Sequence, residues 1–271
     1  MKLTDDRKEE VLKWVDADCT QTLSRLVERI EDSFSIRVSE STVSRLLRDF
    51  HYSVKRVSRV PERRNSPDVI ESRFAFAVRM VSLATRRDEI FYLDEVGFQF
   101  TMRSLYGRSP VGTRANVQVP QIRSRNFSCA AAMSTSGLSY FKLQDRPYNT
   151  STFSAFIIDL ISHLREAGVE HAILLADNVP FHHAHDVQQL VRAHGHEMIF
   201  IPPYSPFLNP IEEMFSQWKS IVRSSAPRNS EELAQAVNLA STRITSEHCQ
   251  NYIRHVESYF SRCLLREQIE N

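Results

Sequence analysis

Three carboxylates stand at positions suited to phosphoryl chemistry. The apolar run EIFYLD from 89 to 94 delivers Asp94, and HAILLAD from 171 to 177 delivers Asp177. Each acid is expected at the end of a buried strand, on one edge of a sheet, where sites form in such folds. A third acid follows PPYSPFLNP, residues 202–210. There Asn209 is a good N-cap and Pro210 a good first helical residue, so Glu212 and Glu213 both fall in a first helical turn and either can serve. At about 100° per residue the buried stripe of that helix is Ile211, Met214, Phe215, Trp218 and Val222. Glu212 flanks the stripe and Glu213 points nearly opposite. Glu212 is therefore preferred, although three residues after Asn209 it can also complete a capping box.

Convergent carboxylates repel unless cations neutralise them, and hard oxygen donors select Mg²⁺ or Mn²⁺ over zinc. Two such ions, about 3.5 to 4 Å apart, activate an attacking water or hydroxyl and stabilise the leaving oxygen of a phosphodiester in an in-line displacement. The residues read as a phosphoryl-transfer nuclease with two Mg²⁺ (or Mn²⁺) ions on Asp94, Asp177 and Glu212. His182, His183 and His185 form a second cluster, but they lack a fourth ligand of clear zinc spacing. Glu95 follows Asp94 on a continuing strand and so belongs to the other face, in a supporting role. Cys19, Cys129, Cys249 and Cys263 show no CxxC pair, so reduced thiols are expected and no structural metal.

The net charge of +1 conceals a division along the chain. Residues 37–64 hold eight Lys/Arg against three acids, and residues 101–126 hold five Arg and no acid. Each segment is +5, which leaves −9 for the remainder. A basic arm and loop serving an acidic, metal-binding body fit a double-stranded DNA partner, though charge alone also fits solvated basic faces. Leu23, Leu26, Val27, Ile30 and Phe34, then Val43, Leu46, Leu47 and Phe50, recur at helical spacing and predict two packed helices. The second presents Ser41, Thr42, Ser44, Arg45 and Arg48, hydroxyls and guanidiniums suited to a major groove. An earlier helix near Glu9 to Val15 completes a three-helix, helix-turn-helix module; a plain helical bundle is the alternative. Lys55 and Arg56 are expected on phosphates, as are Arg103, Arg108 and Arg114 in a Gly- and Pro-punctuated loop, unless these are ordinary surface arginines.

The elements that must position these groups follow from periodicity. HYSVKRVSRVPERRNSP, 51–67, lacks helical spacing and predicts a short strand or wing and then a linker. A helix is expected over Asp68 to Thr85, strands near 90–94, 127–133, 138–143, 171–176 and 198–201, and helices near 152–166, 186–194 and 211–224. The tail, 230–269, reads as two more helices. Three strands followed by strand–helix alternation predict an α/β mixed sheet flanked by helices. The expected division is a small all-α, winged-helix-like helix-turn-helix domain over 1–60, a linker and lead-in helix over 61–87, the catalytic domain over 88–226, and C-terminal helices over 227–271. No membrane span or secretory signal is evident, so the protein is expected inside a cell, in the nucleus if eukaryotic and otherwise in the cytoplasm.

The segments LDEVGF at Asp94, YGRSPVGTRA from Tyr106, DNVPFHH from Asp177 and PPYSPFLNPIEE from Pro202 together resemble the catalytic domain of the mariner-like superfamily of DNA transposases. The resemblance spans roughly Ile90 to Arg223, and the 34 residues between Asp177 and Glu212 match the family's separation when its third acid is glutamate. It implies a ribonuclease H-like fold, Mg²⁺ dependence, cleavage at terminal inverted repeats and integration, typically at a TA dinucleotide, by a homodimer. It also places His182, and Asn178 beside Asp177, as active-site support, with His182 near the scissile phosphate. Two features depart from the family: Val179 stands where alanine is usual, and one helix-turn-helix module is evident where relatives typically carry two. A transposase-derived DNA-binding protein without transposition activity is the alternative. The lack of an HHCC zinc arm, with PPYSPFLNPIEE present, disfavours a retroviral-type integrase or a resolvase.

Overall fold

The computed structural model describes residues 3–57, 59–86, 89–104, 106–118 and 126–270, which divide into two compact units, Met1–Val60 and Pro61–Asn271. In the first, α1 (Asp5–Ala17), α2 (Leu23–Phe34) and α3 (Glu40–Asp49) enclose Val11, Trp14, Leu26, Ile30, Ile36, Val43 and Leu46. Trp14 stacks on Phe34, with 5.5 Å between ring centroids, and Arg29 lies over the indole at 4.3 Å. The tight turn into α3 uses Ser35 in the left-handed region (φ 55°) at the end of α2. Ser39 then caps α3 by accepting from the Thr42 N–H. Beyond α3 the chain forms no strand among the described residues of 51–67. With no second strand to pair with, the expected wing is replaced by exposed coil, tied back at its start by Tyr52 Oη donating to Asp16 at 2.6 Å.

The second unit is built on a five-stranded sheet of order β3–β2–β1–β4–β5, comprising β1 (Glu89–Phe98), β2 (Phe127–Ser134), β3 (Gly137–Gln144), β4 (Ala172–Ala176) and β5 (Glu197–Phe200). β1–β2 and β2–β3 pair antiparallel, whereas β1–β4 and β4–β5 pair parallel. Alternation along the strands sorts side chains to two faces. Tyr92, Val96 and Phe98 of β1, with Ile173 and Leu175 of β4, join one core. Phe91 and Leu93, with Ala172, Leu174 and Ala176, join the other. The first core is covered by α4 (Pro67–Arg86), α7 (Ile211–Ser224), α8 (Ser230–Ser241) and α9 (Ser246–Glu257), and the second by α5 (Thr150–Glu166) and α6 (His185–Ala193). Trp218 of α7 is fully buried among Phe98, Phe141 and Phe215 and donates through Nε1 to the Val237 carbonyl of α8.

Two expectations about extent are corrected. β1 does not stop at Asp94 but continues to Phe98, because β2 goes on pairing with it from Asp94↔Ala131 to Phe98↔Phe127 after the β4 ladder has ended at Tyr92↔Leu175. The tail holds three helices rather than two, since a short α10 (Phe260–Leu264) follows α9 and packs on α4. There Arg266 pairs with Glu71 at 2.7 Å, and buried Ile269 donates its N–H to Asn65. Cys129, Cys249 and Cys263 are buried free thiols and Cys19 is an exposed one. Among the described residues no helix is long and apolar enough to cross a membrane.

Candidate active site

Strand parity brings the acids to one side. Asp94 shares its face with Tyr92 and Val96, the face covered by α7; Asp177, one residue beyond Ala176, continues the face of Ile173 and Leu175. β1 and β4 are adjacent and parallel with Tyr92 opposite Leu175, so Asp94 and Asp177 come level at the edge where the β1–β4 ladder ends. Glu212 stands in the first turn of α7 over that edge. The three acids line a single cleft of about 260 Å³ with Asn178, Val179, Asn209 and the loop 201–206. Among the described residues no three His, Cys, Asp or Glu side chains sit close enough to enclose an ion as they stand. The acids share a cleft rather than a closed cage.

Electrostatics mark the cleft as a place where negative charge is under strain. Desolvation, then the charges of Asp177 and Glu212, push the Asp94 carboxyl up to about 8, against the lowering effect of the Glu95 N–H. Desolvation also raises Glu212; Lys219 opposes the rise and Asp177 adds to it. Asp177 goes the other way: burial would raise it, but hydrogen bonds from His182 and the Val179 N–H hold it below the usual carboxylate range. Burial likewise pulls His182 down, and the carboxylates of Asp177 and Glu95 outweigh it, lifting the imidazole to about 9. One acid is therefore held ionised and another resists ionising, the division expected where a hard dication would relieve the repulsion.

The structure reassigns several residues. Asn209 does not cap α7; Pro210 occupies the cap position with no side-chain bond, while Asn209 Nδ2 donates to Asp94 Oδ2 at 2.9 Å. Its side chain is turned to the acid because the turn Pro206–Leu208 delivers it buried between β1 and α7, with Oδ1 unpartnered. The capping box that Glu212 was able to complete is therefore not formed. Glu213 points away from the aspartates and bonds His255 Nδ1 on α9. His182 is fully buried and is not among the residues that line the cleft. It sits instead behind Asp177, on the side of the sheet occupied by Phe153 and Phe181. Asn178 does reach the cleft, accepting from His183 Nε2 at 2.6 Å and donating to the Ile201 carbonyl, which staples the loop after β4 to the end of β5. The bond from Asn209 to Asp94 was missed because the local sequence of Asn209 reads as a cap; strand parity signalled the opposite face and a supporting role for Glu95, but not its bond to His182.

Of the arginines in the loop after β1, Arg108 and Arg114 are exposed, whereas Arg103 is half-buried and bonded to the backbone. Its Nη1 donates to the Phe100 and Met102 carbonyls at 2.8 and 2.7 Å, and its Nη2 to the Pro227 carbonyl at 3.2 Å. A guanidinium satisfying three backbone acceptors is a structural tie. Arg103→Ala is expected to cost about 1 to 3 kcal/mol by orphaning part-buried carbonyls, read as a fall in Tm with DNA affinity unchanged. Arg108→Ala should do the reverse, and equal loss of affinity in both variants would reject the distinction. Arg123 and Arg125, in the same basic stretch, lie outside the described residues. In the first unit Ser41, Thr42, Arg45 and Arg48 are exposed on α3 and Ser44 is half-buried; Lys55 and Arg56 are exposed beyond it. The Thr42 hydroxyl is bonded to Ser39 Oγ at 3.0 Å, so it is shared with the helix cap.

The fold is that of known transposase structures. A Mos1 transposase paired-end complex with the left transposon end superposes with a TM-score of 0.77 at 20% identity, covering 99% of this chain and 80% of that one. The Mos1 strand transfer complex gives 0.75 at 19% identity, with 100% and 81% covered, and a Mos1 mariner paired-end complex with Mn gives 0.76 at 19%, with 100% and 81% covered. At such identity the likeness establishes the ribonuclease H-like fold. No curated protein matches the chain. Residues 89–234, more than half of the chain and the stretch that carries all three acids, match the model described as DDE superfamily endonuclease. The chain belongs to the DDE superfamily endonucleases.

Proposed function

We propose that the protein is a mariner-like DNA transposase that cleaves transposon ends and joins them to target DNA by metal-dependent phosphoryl transfer. The observation that carries this reading is the delivery of Asp94, Asp177 and Glu212 to one cleft by strand parity and the first turn of α7. The donor set is all oxygen, and burial together with the charges of Asp177 and Glu212 raises the Asp94 carboxyl, so the residues fit hard divalent ions. Two Mg²⁺ or Mn²⁺ ions bound there would supply a polarised nucleophile and charge stabilisation at the leaving oxygen. Asn209 and His182 orient the aspartates, and the exposed cations of α3, Lys55, Arg56, Arg108 and Arg114 bind the phosphate backbone of double-stranded DNA. The solved Mos1 complexes with transposon-end DNA, with Mn and with Mg support the same assignment. Synapsis of two ends calls for a homodimer.

Purified protein is expected to nick or cut duplexes bearing its terminal inverted repeats in Mg²⁺ or Mn²⁺ and to be inert in EDTA. Cleavage that persists in EDTA would refute the mechanism. On residues 1–60, loss of Arg45 or Arg48 should cost about 1 to 3 kcal/mol on one DNA sequence if the arginine reads a base. Loss of Lys55 or Arg56 should weaken all sequences alike and flatten the salt dependence. Anisotropy titrations at several salt concentrations separate the two; salt-independent binding would remove the DNA-binding assignment.

A further inference from the structure

Asp177 is gripped from behind. His182 Nδ1 lies 2.8 Å from Asp177 Oδ1, and its Nε2 lies 3.0 Å from Glu95 Oε1. Carboxylate oxygens only accept, so the ring that faces two of them donates from both nitrogens. The imidazole has no exposed surface and is walled by Phe153 and Phe181, with ring centroids at 4.3 and 4.5 Å, so its plane is fixed by packing. Glu95 occupies the face of β1 opposite to Asp94, across from Ala130 of β2, whose small side chain leaves it room. The same residue donates its N–H to Asp94 Oδ1 at 2.7 Å. Glu95 thus reaches both aspartates, one through its backbone and the other through His182.

The geometry points to a Glu95–His182–Asp177 strut that acts from the far face of the sheet to set the Asp177 carboxylate for metal binding. With Oδ1 accepting from His182 and, at 3.2 Å, from the Val179 N–H, Oδ2 is the oxygen of Asp177 left without a protein donor among the described residues. Free rotation of that carboxylate would cost ordering entropy on every metal-binding event, and the strut removes it beforehand. Outer partners of ligating groups act in this way at metal centres generally. Glu95 and His182 are positioning residues, and the inference rests on the reading of Asp177 as a ligand.

The test is the affinity of the full chain for Mn²⁺ alone, followed by the EPR signal of the free ion, in wild type, Glu95→Gln, Glu95→Ala and the control Glu213→Ala, with Tm of the metal-free protein measured alongside. Glu95→Ala is expected to weaken Mn²⁺ by about 10- to 100-fold. Glu95→Gln, whose amide oxygen still accepts from Nε2, should lose less, and Glu213→Ala nothing. On DNA the Glu95 variants should lower kcat and leave KM unchanged, a split that general loosening of the core would not give. Mn²⁺ affinity within about threefold of wild type in both Glu95 variants overturns the strut while leaving the active site intact; if Glu95→Ala does not fold, Glu95→Gln decides by the same threshold. Wild type that takes up no Mn²⁺ overturns the ligand assignment itself, and the strut with it.

Discussion

Asp94→Ala, Asp177→Ala and Glu212→Ala should each lower strand cleavage by about 10³-fold or more, on the order of 4 kcal/mol of transition-state stabilisation. Each variant should still bind DNA through α3 and the basic coil that follows it. The size of the effect follows from the shared cleft: removing one carboxylate takes away a donor from a set in which none is spare. Glu213→Ala is the internal control, because Glu213 bonds His255 at the surface and exposed pairs of that kind contribute little. Single-turnover nicking with parallel anisotropy binding measures both quantities. An inactive Glu213→Ala beside an active Glu212→Ala would reverse the assignment on α7, and retained cleavage in either aspartate variant would remove that residue from the site.

The second large effect concerns stability without metal. Asp94 has a folded-state carboxyl raised to about 8, whereas in the unfolded chain it titrates near about 4. The folded state therefore keeps a proton that the unfolded state releases, and its contribution, fully present below about pH 4, is lost as pH rises to about 8. The slope approaches about 1.4 kcal/mol per pH unit within that window. His182, lifted to about 9, adds a loss of the same sign above the usual histidine range, while Asp177, held low, contributes only on acidification. Metal-free wild type should thus melt at lower temperature at pH 8 than at pH 5.5. Asp94→Asn should remove most of that decline and be the more stable protein at pH 8. Mg²⁺ should stabilise wild type more at pH 8 than at pH 6, since ligation requires the carboxylate, and should not stabilise Asp94→Asn. Denaturation scans in EDTA and in Mg²⁺ test this. A wild-type Tm that rises from pH 5.5 to pH 8 in EDTA would contradict it.

Much of the fold was legible because its signals are local. Alternating or continuous apolar runs mark each of the five strands, a 3.6-residue stripe with Trp218 at its centre marks α7, and the acids sit at fixed offsets from those runs. Parity on β1 alone separates Asp94 from Glu95, and the stripe of α7 separates Glu212 from Glu213. Where local signals compete with distant ones, the chain alone misleads. Asn209 has the composition of an N-cap, but Asp94 lies 2.9 Å away and takes its amide. Arg103 reads as a phosphate ligand in a basic loop, and in the fold its guanidinium bonds the Pro227 carbonyl, 124 residues later. The wing suggested by HYSVKRV requires a second strand, and the described residues of 51–67 form none. The resemblance gives His182 as active-site support, and the fold adds what spacing does not, its bond behind the Asp177 carboxylate to Glu95, 87 residues earlier. Periodicity and spacing determine which elements form and which residue types they carry; which partner a polar side chain takes is decided by what the folded chain brings within about 3 Å, the range over which a hydrogen bond acts.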